Sequence, residues 1–169
     1  MPTIGVAIAI PEPWASELQD YRTSIGDTTA AQIPTHITLL PPTELEDAEI
    51  AAVSAHLAEA AATVEPFGIH LRGTGTFRPV SPVVFVTVVE GISSCEQLAH
   101  AVRRGPLDVD LRFPYHPHVT IAHHLDEATL DRAYGELQDF ECSFDADAFS
   151  LYVHDEDDGW QPTHQYALG

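Results

Sequence analysis

One short pattern occurs twice in this chain, at matching places in a repeated order of elements. His36-Ile37-Thr38-Leu39 and His118-Val119-Thr120-Ile121 each set a histidine and a threonine two residues apart, with aliphatic residues between. On a β-strand, side chains two apart point to the same face, roughly 6.5 Å apart along it. Each segment therefore buries an aliphatic face and offers an imidazole and a hydroxyl on the other. A proline stands shortly before each histidine, at Pro34 and Pro117. A single His-x-Thr needs no role beyond the β-preference of threonine. The spacing adds weight, because Ile4 precedes His36 by 32 residues and Val84 precedes His118 by 34. A repeat of that kind predicts two similar lobes facing each other across a pseudo-twofold axis, each giving one His-x-Thr to a shared cleft.

Hydrophobic periodicity and breakers fill in the order. Strands are predicted at Ile4–Ile10, Ile33–Leu40 (ended by Pro41-Pro42), Phe67–Phe77 and Val83–Val89, then at His118–Ala122, Cys142–Val153 and Gln161–Leu168. Helices are predicted over Trp14–Ser24, Glu46–Ala62, Ser93–Arg104 and Asp126–Gln138, the third opened by Ser93 or Ser94 and closed by Gly105-Pro106. Asp155–Gly159 is a turn. The 169 residues, 44% of them hydrophobic, suit a single domain spanning 1–169 and built from two lobes.

Charge narrows the partners. Twenty-six Asp and Glu face seven basic residues, all arginine, for a formal charge of −19. A protein that grips long DNA or RNA needs many cations for the phosphates, and an anionic membrane repels this chain for the same reason. No stretch is long and apolar enough to span a bilayer; the longest, Val83–Val89, is far too short. The start has no basic segment leading an apolar core, and Cys95 and Cys142 stand alone outside any CxxC. These features predict a cytoplasmic protein with reduced thiols.

Two histidines across a cleft suit general acid–base catalysis. A neutral imidazole takes a proton from the nucleophile while an imidazolium gives one to the leaving oxygen. Threonine hydroxyls can hydrogen-bond the non-bridging oxygens of a phosphoryl group. This points to phosphodiester chemistry, with His36, Thr38, His118 and Thr120 as the catalytic set and no cofactor. The acidic field is expected to raise both histidine pKa values and move the rate optimum to higher pH.

The segments PTHITLLPP and HPHVTIA resemble the signature of the 2H phosphoesterase superfamily, within it the 2′-5′ RNA ligase and cyclic phosphodiesterase group. The likeness extends over the opening strand, Gly73–Pro79 and the VVFVTVV strand. It implies a bilobal α+β fold, with mostly antiparallel sheets lining a central cleft and helices outside. It also implies metal-independent hydrolysis of 2′,3′-cyclic phosphates or 2′-5′ phosphodiesters, and in some members reversible 2′-5′ RNA joining. The expected substrate is a small nucleotide or an RNA end, bound by a monomer. A nucleotide sensor with little turnover is the non-enzymatic alternative. Many members carry an arginine shortly after the second motif; here His123 and His124 stand there, which weakens a phosphate contact or makes it depend on pH.

Further candidates lie near the motifs. Phe77 and Arg78 could stack a base and hold a phosphate, and Tyr115 could stack a base or bond a ribose. His116, His118, His123 and His124 are dense enough to raise the question of zinc, but no cysteine or HExxH helix accompanies them, so no metal is expected. The DEDDG turn starts like a calcium loop, but Tyr166 occupies the closing glutamate position, so a solvated acidic turn is expected.

Overall fold

The computed structural model describes all residues from Met1 to Gly169. Eight strands form two four-stranded antiparallel sheets. The first has the order β2 (His36–Glu44), β1 (Thr3–Ala9), β7 (Ala148–Asp155), β8 (Gly159–Ala167). The second has the order β5 (His118–His123), β4 (Val83–Glu90), β3 (Phe67–Thr76), β6 (Glu141–Ala146). The helices are α1 (Trp14–Ser24), α2 (Ile50–Ala62), α3 (Ile92–Val102) and α4 (Glu127–Glu136). This is the α+β, antiparallel architecture expected.

The strand pairing follows the doubled motif. β1 pairs with β2, and β4 pairs with β5, so each His-x-Thr strand is hydrogen-bonded to the opening strand of its own half. The halves then exchange elements. Helix α1 follows β1 but packs on β5 of the second sheet, and α3 follows β4 but packs on β2 of the first. β3, encoded in the first half, lies in the second sheet between β4 and β6. Aliphatic residues from both sheets and all four helices form one core, and Ile37, Leu39, Val119 and Ile121 are completely buried in it. The alternation foreseen in both motifs is present, since His36, Thr38, His118 and Thr120 are each half-buried on the opposite face.

Several boundaries differ from expectation: α2 begins at Ile50 after a short 3-10 turn over Asp47–Glu49 and not at Glu46, and three further differences bear on the architecture. β2 does not stop at Pro41-Pro42 but runs on to Glu44. It is an edge strand, where a missing N–H leaves no ladder bond unmade, and the pairing with β1 shifts register on either side of Val6. The single strand expected over Cys142–Val153 is two, β6 and β7, which belong to different sheets and are joined through Asp147. Helix α3 begins at Ile92 behind Gly91, whose φ of 96° turns the chain into the helix, so Ser93 and Ser94 lie inside the first turn and neither caps it. Asp126 does cap α4, its carboxylate accepting the Thr129 N–H. Both cysteines are buried and free. Burial raises the Cys95 thiol to about 12 and the Cys142 thiol to about 11. No helix is long and apolar enough to cross a membrane.

Candidate active site

The two motif strands, β2 and β5, approach each other where the sheets meet. His36 and His118 are held in the same way. The Nδ1 of His36 lies 2.5 Å from the Pro34 carbonyl oxygen, and the Nδ1 of His118 lies 2.7 Å from the His116 carbonyl oxygen. A carbonyl only accepts, so Nδ1 carries the hydrogen in both rings. In the neutral rings this leaves Nε2 as a lone-pair acceptor, the atom that can take a proton and later return it. Each anchor sits two residues before its histidine, so the expected proline-containing lead-in sets the tautomer.

Burial sets the acidity. Desolvation lowers the His36 pKa against the Pro34 hydrogen bond, which raises it, and the Arg22 cation lowers it further. His118 is pushed down to about 4, first by desolvation and then by the nearby His116 and His36 rings, against the His116 carbonyl. The expected upward shift from the acidic surface is overturned: burial outweighs a field that water screens. Thr35, Thr43, Thr74 and Thr76 spend their hydroxyls on backbone carbonyls. Thr38 and Thr120 do not, and they stand half-buried beside the imidazoles.

The surroundings of the two motifs differ. Phe77 packs on Phe85 at 4.6 Å between centroids and meets His118 edge-on at 4.9 Å. It therefore forms a wall of the second motif. Arg78 turns away toward α4, where its guanidinium bonds Glu127 at 3.1 Å and Asp131 at 2.7 Å. That cation is paired with two carboxylates of α4. The Tyr115 hydroxyl donates to the Thr38 carbonyl at 2.7 Å, and its ring lies under Arg103. It straps the segment before β5 to the first motif strand. His123 ends β5 with Nε2 3.8 Å from Asp27, and His124 leaves the strand with φ 54°. No three His, Cys, Asp or Glu side chains converge on a point that would hold a metal.

Two features escaped the sequence reading. Arg22, 3% exposed, is bound through Nε and Nη2 to Asp27 beside His123. Its one signal is its place four residues after Leu18 on the buried stripe of α1. The second is a half-open pocket of about 100 Å³ against the first motif, where Trp160 and Tyr152 join His36 and Thr38 in the lining. Both aromatics come from β7 and β8, far from the motif in sequence, so only the sheet order brings them there.

A family model described as the 2′-5′ RNA ligase superfamily matches residues 10–158. A protein of Halalkalibacterium halodurans that bears a phosphoesterase name is 28% identical over 167 residues, 98% of this chain and 96% of its own. A second with such a name, from Oceanobacillus iheyensis, is 28% identical over 85% of each chain. Among solved structures, E. coli LigT complexed with 3′-AMP superposes with a TM-score of 0.72 at 20% identity, covering 99% of this chain and 98% of its own. TT0787 of Thermus thermophilus follows the same fold, with a TM-score of 0.64 and 21% identity over 99% and 98% of the two chains. The chain belongs to the 2′-5′ RNA ligase superfamily and is a 2H phosphoesterase.

Proposed function

We propose that this protein hydrolyses 2′,3′-cyclic phosphates or 2′-5′ phosphodiesters of small nucleotides or RNA ends by two-histidine acid–base catalysis. The observation that carries this reading is the matched Nδ1 anchoring of His36 and His118 on neighbouring strands, which frees both Nε2 atoms for proton transfer. Water attacks phosphorus and gives its proton to the neutral Nε2 of one ring. The phosphorus–ribose oxygen bond breaks, and the leaving oxygen takes a proton from the other ring as imidazolium. Thr38 and Thr120 hydrogen-bond the non-bridging oxygens. A phosphodiester anion between the rings restores the proton affinity that burial removes. No step calls on a metal.

The 3′-AMP, ATP and NADP+ complexes of the structural neighbour LigT support a small nucleotide as ligand. With the 5′-hydroxyl of a second RNA in place of water, the same step joins a 2′,3′-cyclic end to it: the hydroxyl attacks phosphorus, the ribose 3′-oxygen leaves, and a 2′-5′ bond results. The charge of −19 favours the hydrolytic direction on short substrates, since joining must hold two polyanions. A panel of 2′,3′-cyclic nucleotides, 2′-5′ and 3′-5′ dinucleotides and a pair of RNA ends, run in EDTA, tests the proposal. Turnover of the cyclic and 2′-5′ substrates is expected. Turnover confined to the 3′-5′ dinucleotide, or abolished by EDTA, would contradict it.

A further inference from the structure

Both motif strands carry a bulge just past the threonine. Thr120 lies opposite Phe85 and Ala122 opposite Val84, so Ile121 is an extra residue in β5 and the ladder shifts there. Such a bulge re-aims the side chains that follow it. Ile121 and Ala122 are both completely buried, and alternation then returns His123 to the open face. In a regular strand a residue three after Thr120 would point into the core. The partners of Thr120 and His123 are Phe85 and Val83, two ladder steps apart, roughly 6.5 Å. His118, Thr120 and His123 therefore form one row along the cleft. β2 has the same bulge after Thr38, with Leu39 and Leu40 both buried, but Pro41 holds the matching place and has no side-chain donor.

We propose that His123 binds the substrate phosphate as an imidazolium that forms only when the anion arrives, with Asp27 as the counter-ion that makes the charged ring possible. The proposal rests on the catalytic reading above and adds how a cleft in an acidic protein gains a cation at its phosphate. Neither ring nitrogen of His123 is tied to a carbonyl, in contrast to the Nδ1 atoms of His36 and His118. Its Nε2 lies 3.8 Å from Oδ2 of Asp27, the oxygen that also receives Nε and Nη2 of Arg22. Oδ1 of Asp27 accepts the N–H and the hydroxyl of Thr29. The carboxylate is thus fixed in place, and Arg22 already balances its charge. Burial first, and then Arg22, hold His123 below the ordinary histidine value; Asp27 opposes them and His124 adds to the lowering. The same Arg22 acts on His36 of β2. On α4, Glu127 and Asp131 are engaged by Arg78, and Val83, opposite His123 on β4, is uncharged. The free ring is therefore neutral at pH 7, and an anion beside it supplies the negative charge that favours protonation. A ring whose pKa rises on binding takes up a proton. Affinity is then greatest below the free-state pKa and falls as pH rises toward the bound-state value.

The test is titration calorimetry of sulfate with wild type, His123→Gln and His123→Arg. Sulfate is a tetrahedral anion whose charge is fixed between about pH 5 and 8, the range in which histidine titrates. Runs in buffers of different ionisation enthalpy count the protons taken up on binding. Both variants are needed, because a fixed charge at 123 also acts on His36 and His118, whereas glutamine does not. At its maximum in this range, wild-type uptake is expected to exceed that of each variant by at least about half a proton, so that wild-type affinity falls about threefold more per pH unit. Asp27→Asn, which leaves Arg22 unbalanced beside the ring, is expected to bring uptake down to that of the variants; should it fail to fold, the two His123 variants decide. Uptake in either His123 variant equal to that of wild type, or no sulfate binding to wild type, would overturn the proposal. Failure of the catalytic reading looks different: adenosine 2′,3′-cyclic phosphate is not hydrolysed, whatever residue stands at 123.

Discussion

His36 and His118 each have one ring nitrogen left to exchange protons, because the other is tied to a carbonyl two residues upstream. Both are also lowered from the ordinary histidine value, His118 to about 4. The sign of the pH dependence follows. The base is active above its pKa and the acid below its own, and kcat/KM reports the free enzyme. Both limbs of the bell in kcat/KM therefore lie below about 6.5, and the rate falls as pH rises through neutrality; a bell centred above pH 7 would contradict the burial argument. Asp27 offers a second residue-scale prediction. Burial works to raise its pKa, but hydrogen bonds from Thr29 and Arg22 outweigh burial and hold it below the usual carboxylate range. Asp27→Ala strands the Arg22 cation in the core and should cost about 3–5 kcal/mol in urea unfolding; a loss under about 1 kcal/mol would show that water reaches the guanidinium. Such single-residue features divide by legibility. The motif residues stand out because their alternation declares two faces. Arg22 does not, since an arginine on a helix reads as solvated until its neighbours are known.

Among the elements, helix α1 has the limits its apolar spacing and flanking prolines foretell. Errors arise where an element's fate is decided by its neighbours. β2 tolerates Pro41 and Pro42 because the sheet order leaves it on an edge, and sheet order is a long-range outcome. The split of β6 from β7 is likewise invisible locally, since the two follow each other with one residue between them and differ in which sheet receives them. Caps, by contrast, are local. Asp126→Ala removes the carboxylate that accepts the Thr129 N–H and should lower stability by about 1 kcal/mol; it should leave cyclic phosphate turnover unchanged, because α4 packs behind the second sheet. The acidic turn Asp155–Gly159 is held by the Asp155 carboxylate, which accepts the Asp157 and Asp158 N–H groups. Gly159 closes it with φ 78°, and a Cβ there would collide with the Gln32 backbone oxygen. Trp160 follows directly, so the turn delivers the pocket wall as well as connecting two strands.

For the molecule as a whole, the net charge and the doubled motif pull in different directions, and the structure reconciles them. A charge of −19 disfavours long RNA, and the proposed catalytic groups are half-buried histidines and hydroxyls that need no basic surface. Self-repulsion at that charge is screened by salt. Melting temperature should therefore rise between 20 mM and 500 mM NaCl; about 1 kcal/mol of relief corresponds to about 2–4 °C for a chain of this size. A fall would show that the specific ion pairs outweigh the net field. Lobe exchange gives each sheet one motif and binds the halves together through α1 and α3. The doubled His-x-Thr pattern was legible in the sequence; which sheet each helix covers was not, because helical periodicity does not say so. The most direct test of the two-histidine account is turnover of adenosine 2′,3′-cyclic phosphate in EDTA by wild type, His36→Ala and His118→Ala, each checked for an unchanged melting profile. The account predicts a loss of at least about 10²-fold in kcat for either variant. Near-normal kcat in either folded variant would contradict it.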